Sequence, residues 1–423
     1  MPTQPPDGTE VPERKWDEEA PPAAEAIQLA PLLTPASGVP DVIETPEALA
    51  RAVAALGAAE GPVAVDVERA SGYRYGQRAY LVQLRRRGVG TLLIDPTAFE
   101  DLAAVNGALD GAEWVLHAAS QDLPGLADLA MAPAAVFDTE LAARLLGYPR
   151  VGLAAVVAST LGLGLAKEHS AADWSRRPLP ESWLNYAALD VEVLLDVRDV
   201  LAAQLAEAGK AAIAAQEFEA IRLTEPSPKR PEPWRRTSGA HVVRDPRRLA
   251  IVRSLWEARD TLAREIDVAQ GRVLPDSAIV AAAQALPRTR ADLEKVRFFA
   301  TKSAKKRAGY WWDAVQSAVR APRSELPTLR GPRHGGPPPP RAWHERNPAA
   351  AARLSMTRTA VERLSQDRAI PQENLLQPDA LKRVLWEAPP DVPAALRGSG
   401  ARPWQVDLMA PLIEAAIEAH PDR

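Results

Sequence analysis

The stretch GPVAVDVERA, Gly61 to Ala70, sets two carboxylates into an apolar run. Side chains alternate along a strand, so Asp66 and Glu68 share one side while Val65 and Val67 face the other. A strand on a solvated sheet edge tolerates such a pair. The flanking GPVAV argues instead for a central, buried strand, where an unpaired acid pair is costly. Two carboxylates on one face repel unless something cationic sits between them.

Around this strand, AYLVQL, GTLLIDP and EWVLHA read as further short strands, separated by Gly, Arg and Tyr. ETPEALARAVAAL starts a helix, with Thr45 as N-cap and Pro46 at the first helical position. AFEDLAAVNGAL, DLPGLADLA, FDTELAARLLG and VGLAAVVASTLG give helix after helix, ending in a long one from about Pro180 to Ala208. Antiparallel strands followed by alternating helices and strands predict an α/β domain, a mixed sheet covered by helices.

Two later segments add acids. Asp122, in VLHAASQDLPGL, follows a strand and opens a helix, where an N-cap or dipole partner is the local alternative to a functional role. His117 beside it reads as packed or hydrogen-bonded. In NYAALDVEVLL, Tyr186 and Asp190 lie one turn apart on one helix face, which by itself also fits a solvated face. The order is thus Asp-x-Glu on a strand, Asp at a strand-to-helix junction, then Tyr-x-x-x-Asp on a helix. Hard divalent cations want carboxylate oxygens, and paired magnesium or manganese ions about 3.5–4 Å apart serve in-line displacement at phosphorus. Four carboxylates from separated segments suit such a pair, and a phenol beside them can fix the approach of an attacking water.

Composition sets the frame. The chain has 423 residues and no cysteine, which excludes disulfides, thiolate nucleophiles and sulfur-ligated zinc. A length of this size predicts roughly two or three domains. No secretory signal and no run of about 18 apolar residues is visible, so a cytoplasmic protein without a membrane partner is expected. The net charge of −4 hides a division. Residues 1–228 hold 17 Lys+Arg against 33 Asp+Glu, whereas residues 229–346 hold 25 against 12. An acidic half followed by a basic segment fits a metal-using catalytic domain beside a polyanion-binding one, although a chance charge gradient is the plain alternative.

The ordered acids, with VLHAASQDLPGL, VFDTELAARLLGY and DWSRRPLPESWLNYAALDVEVLL, resemble the DEDD superfamily of 3′ to 5′ exonucleases in its tyrosine-bearing subgroup, and within it the bacterial ribonuclease D family. VRSLWEARDTLAREIDVAQGRVLPDSAIV resembles the HRDC helical domain shared by that family and RecQ-type helicases. The resemblance implies a ribonuclease H-like fold, with a mixed, largely five-stranded sheet and flanking helices, followed by one or two all-α helical-bundle domains. It implies Asp66, Glu68, Asp122 and Asp190 as metal ligands for two ions, Mg²⁺ or Mn²⁺, and Tyr186 as the residue that orients the water. The implied activity is hydrolysis of RNA from its 3′ end to 5′-mononucleotides, with tRNA precursors as a candidate partner. A DNA exonuclease of repair and a non-catalytic RNA-binding scaffold are the competing readings. No Gly-rich phosphate loop of a helicase motor is present. Oligomeric state is not readable.

The expected division is 1–36 disordered, 37–225 exonuclease, 226–243 Pro/Arg-rich linker, 244–325 HRDC-type nucleic-acid-binding domain, 326–346 Pro/Gly-rich linker, and 347–423 a second, diverged HRDC-like unit. RVLPDSAIVAAAQALP and NLLQPDALKRVLWEAP suggest diverged copies. Arg69, Arg74 and Arg78 stand where they can approach phosphates, without an assigned contact. Trp311 and Trp312 read as core, with a stacking platform beside Lys305, Lys306 and Arg307 as the alternative. Asp138 reads as an N-cap for the helix starting at Thr139, and Asp173 as a loop partner.

Overall fold

The computed structural model describes residues 29–165, 171–225, 231–331 and 335–422. Eight strands occur among them: β1 (Ala30–Leu32), β2 (Val42–Ile43), β3 (Val63–Arg69), β4 (Ala79–Arg86), β5 (Gly90–Ile94), β6 (Glu113–Leu116), β7 (Ala135–Asp138) and β8 (Leu163–Leu165). Six form one mixed sheet in the order β2-β5-β4-β3-β6-β7. The meander β3-β4-β5 is antiparallel, and β6 and β7 add parallel strands on the other side of β3. The GPVAVDVERA stretch is therefore central, flanked by a partner on each side. The sixth strand, β2, is a two-residue edge paired parallel to β5, too short to show in the apolar pattern.

Val63, Val65 and Val67 pack into a core with Leu56, Val105 and Leu109 from the helices and loops on one face. On the other face, Thr139–Leu145 and Leu153–Leu161 pack with Leu194–Glu207. The N-terminal signals act as read: Thr45 accepts from the Ala48 amide with Pro46 at the first helical position, and Asp138 accepts from the Glu140 and Leu141 amides.

Three expectations need correction. The long helix from Pro180 to Ala208 is two, Glu181–Glu192 and Leu194–Glu207, separated at Val193. The break lets the first lie over β3, β4 and β5 while the second, with Val193 itself, joins the large core beside it on the same face of the sheet. Most of the segment read as disordered, 1–28, lies outside the described residues, but Ala30–Leu32 is a strand that pairs in parallel with β8. Both linkers are partly folded, because each carries a tryptophan that finds a core: Trp234 is 3% exposed and Trp343 fully buried. Trp234 packs with Ala240 and Val243 against the helix Pro246–Glu265, and Trp343 donates to the Pro338 carbonyl at 2.6 Å.

The two helical units repeat one plan. Pro246–Glu265, Gln270–Val273 and Asp276–Ala285 correspond to Pro348–Arg368, Gln372–Leu375 and Pro378–Glu387, each starting 102 positions later. Asp267 and Ala369, like Leu286 and Ala388, are the matching left-handed residues. Their surroundings differ. The first unit has its own core, whereas the second shares a continuous core with the nuclease helices.

Glu217 fastens that second unit. It is 4% exposed on the helix Ala211–Arg222 and accepts two bonds from Arg402, each 2.5 Å, and one from Trp404 Nε1 at 2.7 Å. Removing one partner of a buried, fully hydrogen-bonded charge leaves the other uncompensated. Glu217→Ala should therefore cost about 3–5 kcal/mol in urea unfolding. A loss below about 1 kcal/mol, the range of an exposed pair, contradicts this account.

Candidate active site

β3 pairs with β6 only through Val63 and Ala64, so its second half, Asp66 to Arg69, runs past the end of its parallel neighbour. The helix Glu181–Glu192 crosses over this exposed half and brings Asp190 to it. Carboxylate oxygens of Asp66, Glu68 and Asp190 all lie within 4.8 Å of one another. One turn earlier on the same helix, the Tyr186 phenol hydrogen-bonds Asp190.

Asp122 enters from the other side of the gap. After β6 the chain reverses at Ala118, in the left-handed region at φ 62°, and a short 3-10 turn leads to Asp122. The reversal is held by Asp138, which accepts from the Ala118 amide at 3.1 Å and the Ala119 amide at 2.9 Å. Asp122 is buried but stands outside the three-carboxylate group, because Arg69 Nη2 pairs with it at 3.2 Å and also donates to the Gln121 carbonyl. The structure thus brings three of the four expected ligands together and holds the fourth against an arginine. Asp122 is the first residue of its helix turn without a capping bond from its side chain, so the N-cap alternative does not account for it.

The electrostatics of the group are adverse. Burial raises the Glu68 carboxyl well above its ordinary value, and the charges of Asp66, Asp190 and Asp122 push it further. Burial, then Asp66, does the same to Asp190, with the Tyr186 hydrogen bond opposing. Asp66 is raised by burial. Asp122 is pushed up to about 8 by burial and by Asp66, despite Arg69. Tyr186 is held as a neutral phenol by burial and by Asp190 and Glu68. A half-buried set of oxygen donors that repel one another is the donor chemistry that hard divalent cations select.

Sequence reading missed Gln83. It lies directly opposite Asp66 on β4, fully buried, and neither its amide nitrogen nor its oxygen has a partner among the described residues. Polar tracts inside buried strands are hard to tell from tolerated polar residues, and LVQL gave no spacing signal. Of the other candidates, His117 is packed and bonded to Thr139 Oγ1 at 2.9 Å, with burial lowering it to about 4. Asp173 accepts from Ser175 Oγ at 2.5 Å. Trp311 is 2% exposed in the first helical unit's core, as read, and Trp312 is partly buried against that core. Arg74 binds Ser175 Oγ at 2.8 Å, and Arg78 lies 5.3 Å from the Tyr80 ring centre.

A family model described as a 3′–5′ exonuclease matches residues 40–206, one described as the HRDC domain matches 248–315, and one described as a 3′ to 5′ exonuclease C-terminal domain matches 336–417. Ribonuclease D of Acidiphilium cryptum (strain JF-5) is 33% identical over 315 residues, covering 72% of this chain and 79% of its own. The chain belongs to the ribonuclease D family. It is a hydrolase of the 3′–5′ exoribonuclease class, and enzymes with this exonuclease domain use divalent metal ions. A crystal structure of a protein from Bifidobacterium adolescentis is 39% identical, with a TM-score of 0.84 over 92% of this chain and 100% of that one. Ribonuclease D of Escherichia coli, at 24% identity and a TM-score of 0.66, covers 90% of this chain and 99% of its own and shares the fold. No described helix is long and apolar enough to cross a membrane.

Proposed function

We propose that this ribonuclease D family member removes nucleotides from RNA 3′ ends by a two-metal mechanism centred on Asp66, Glu68 and Asp190, with Asp122 as the fourth ligand and Tyr186 orienting water. The convergence of three carboxylates within 4.8 Å at the open half of β3 carries this reading. When bound, Mg²⁺ or Mn²⁺ would supply Lewis-acid stabilisation of charge developing at phosphorus and on the leaving oxygen. The residues do the rest. Asp66 and Glu68 are fixed by the strand, Asp190 by the helix, and Asp122 joins them when Arg69 gives way. The domain division carries over into this reading, with the basic segment 229–346 holding RNA through its phosphates and the last unit bracing the nuclease.

Structured RNA such as a tRNA precursor is the proposed substrate. The Escherichia coli relative is described as an exoribonuclease involved in structured RNA processing. Digestion of tRNA precursors, oligoribonucleotides and DNA oligomers, with free and blocked 3′ ends, tests the reading with Mg²⁺, Mn²⁺ or chelator. Release of 5′-mononucleotides from free RNA 3′ ends only with metal is expected; preference for DNA overturns the substrate.

The same carboxylates predict a pH signature. Each binds its proton more tightly folded than unfolded, so its contribution to stability is present below the unfolded pKa of about 3.9. That contribution is lost as pH rises through the folded value, about 8 for Asp122. In chelator, the melting temperature should fall more steeply between about pH 5 and about pH 8 in the native chain than in Asp122→Asn. Mg²⁺ should restore more stability at the upper end. Parallel pH profiles for the two proteins contradict the assignment.

A further inference from the structure

The turn that follows the catalytic strand, Ala70 to Arg78, is gripped by the first helical unit. Arg272 Nε donates to the Gly72 carbonyl at 2.7 Å while its guanidinium lies 3.9 Å from the centre of the Tyr73 ring. The Ala269 amide donates to the Tyr73 carbonyl at 2.9 Å. The Tyr75 phenol donates to Asp260 at 2.9 Å and accepts from Arg264 at 3.1 Å, and its amide donates to Asp267 at 3.3 Å. Gln270 also donates to Asp260, and Asp267 stands 3.6 Å from Arg74. These partners sit at the end of the helix Pro246–Glu265, in the turn after it, where Asp267 takes a left-handed φ of 49°, and on the short helix Gln270–Val273.

The gripped turn touches the active site on its other side. Tyr73 packs against a cluster of Ala70, Tyr80, Trp174, Ala187 and Ala188, and Tyr186 packs against the same cluster. Ala187 and Ala188 follow Tyr186 directly in the helix that presents Asp190. Gly72 and Gly76 make the turn pliant on its own, since glycine gives up the most conformational freedom on ordering. A cation over an aromatic face and several charge-assisted bonds supply the order instead.

We propose that the first helical unit positions the catalytic helix: Arg272, backed by Asp260 and Asp267, clamps Tyr73 onto the cluster that seats Tyr186. Arg272 is then a positioning residue. The unit contributes to turnover as well as to RNA affinity. This rests on the reading that places Tyr186 and Asp190 in the active site.

The full-length chain, with Mg²⁺ and a single-stranded oligoribonucleotide, provides the test. Arg272→Ala should lower kcat about tenfold, as expected from a small displacement of a positioned group, with KM within about twofold. Arg272→Lys, which keeps a cation for the ring, should recover most of the loss. Tyr73→Ala should have a similar effect, and the double variant no more than either, because both break one contact. Asp260→Asn, which keeps the shape, should lower kcat in the same sense, with faster amide exchange in 70–78 and 181–192. An unchanged kcat, or a loss confined to KM, overturns the inference. Full activity in Asp190→Asn overturns the site reading and this inference together; an inactive Asp190→Asn with unaltered kcat in Arg272→Ala overturns only this inference.

Discussion

Replacing Asp190 by asparagine is expected to lower hydrolysis of RNA by at least about a thousandfold while leaving RNA affinity within about twofold. The carboxylate is half-buried beside Asp66 and Glu68, so the substitution removes one negative charge from the only three-acid group among the described residues that could hold a metal ion. On the proposed reading, affinity comes from cations elsewhere, chiefly the segment 229–346 with its 25 Lys+Arg. The same substitution should raise the melting temperature in chelator. Burial and Asp66 together raise the Asp190 carboxyl well above its ordinary value, and a neutral amide does not suffer that repulsion. Stability gained as activity is lost is the expected behaviour of a site strained for function. Unchanged turnover would remove Asp190 from the metal site, and an unchanged melting temperature would deny the repulsion.

Much of the frame was legible in residues near one strand. Alternation placed Asp66 and Glu68 on one face, and the apolar lead-in placed the strand inside the sheet; β3 has partners on both sides. The i, i+4 spacing put Tyr186 and Asp190 on one face of a helix, and a hydrogen bond joins them. What stayed hidden depends on tertiary register. Asp122 and Arg69 are far apart in sequence, and only the early end of β6 relative to β3 brings them within 3.2 Å. Gln83 faces Asp66 through the antiparallel register of β4, which no spacing rule along one strand reveals. The break at Val193 lies inside an unbroken helical pattern, since the two halves pack on different cores. Trp234 and Trp343 sat in proline-rich tracts whose composition reads as linker, yet a buried indole outweighs the local preference.

Tyr186→Phe should lower kcat about a hundredfold with little change in KM for RNA. Two roles compete for this phenol. As a water-orienting group it must be neutral and able to donate, and burial with Asp190 and Glu68 nearby keeps it so across any working pH. As a partner of Asp190 it lowers that carboxyl, opposing the burial that raises it. Losing the second role alone would raise the proton affinity of Asp190 and weaken its hold on a cation, since the ligand must be deprotonated. That loss would vanish at saturating Mg²⁺ or at higher pH. Losing the first role would not, because no concentration of metal replaces a hydrogen bond to the attacking water. Turnover of Tyr186→Phe measured against Mg²⁺ concentration at two pH values therefore separates them. A deficit that persists at saturation assigns the phenol to the water; full recovery would reduce it to a support for Asp190 and sink the orienting role.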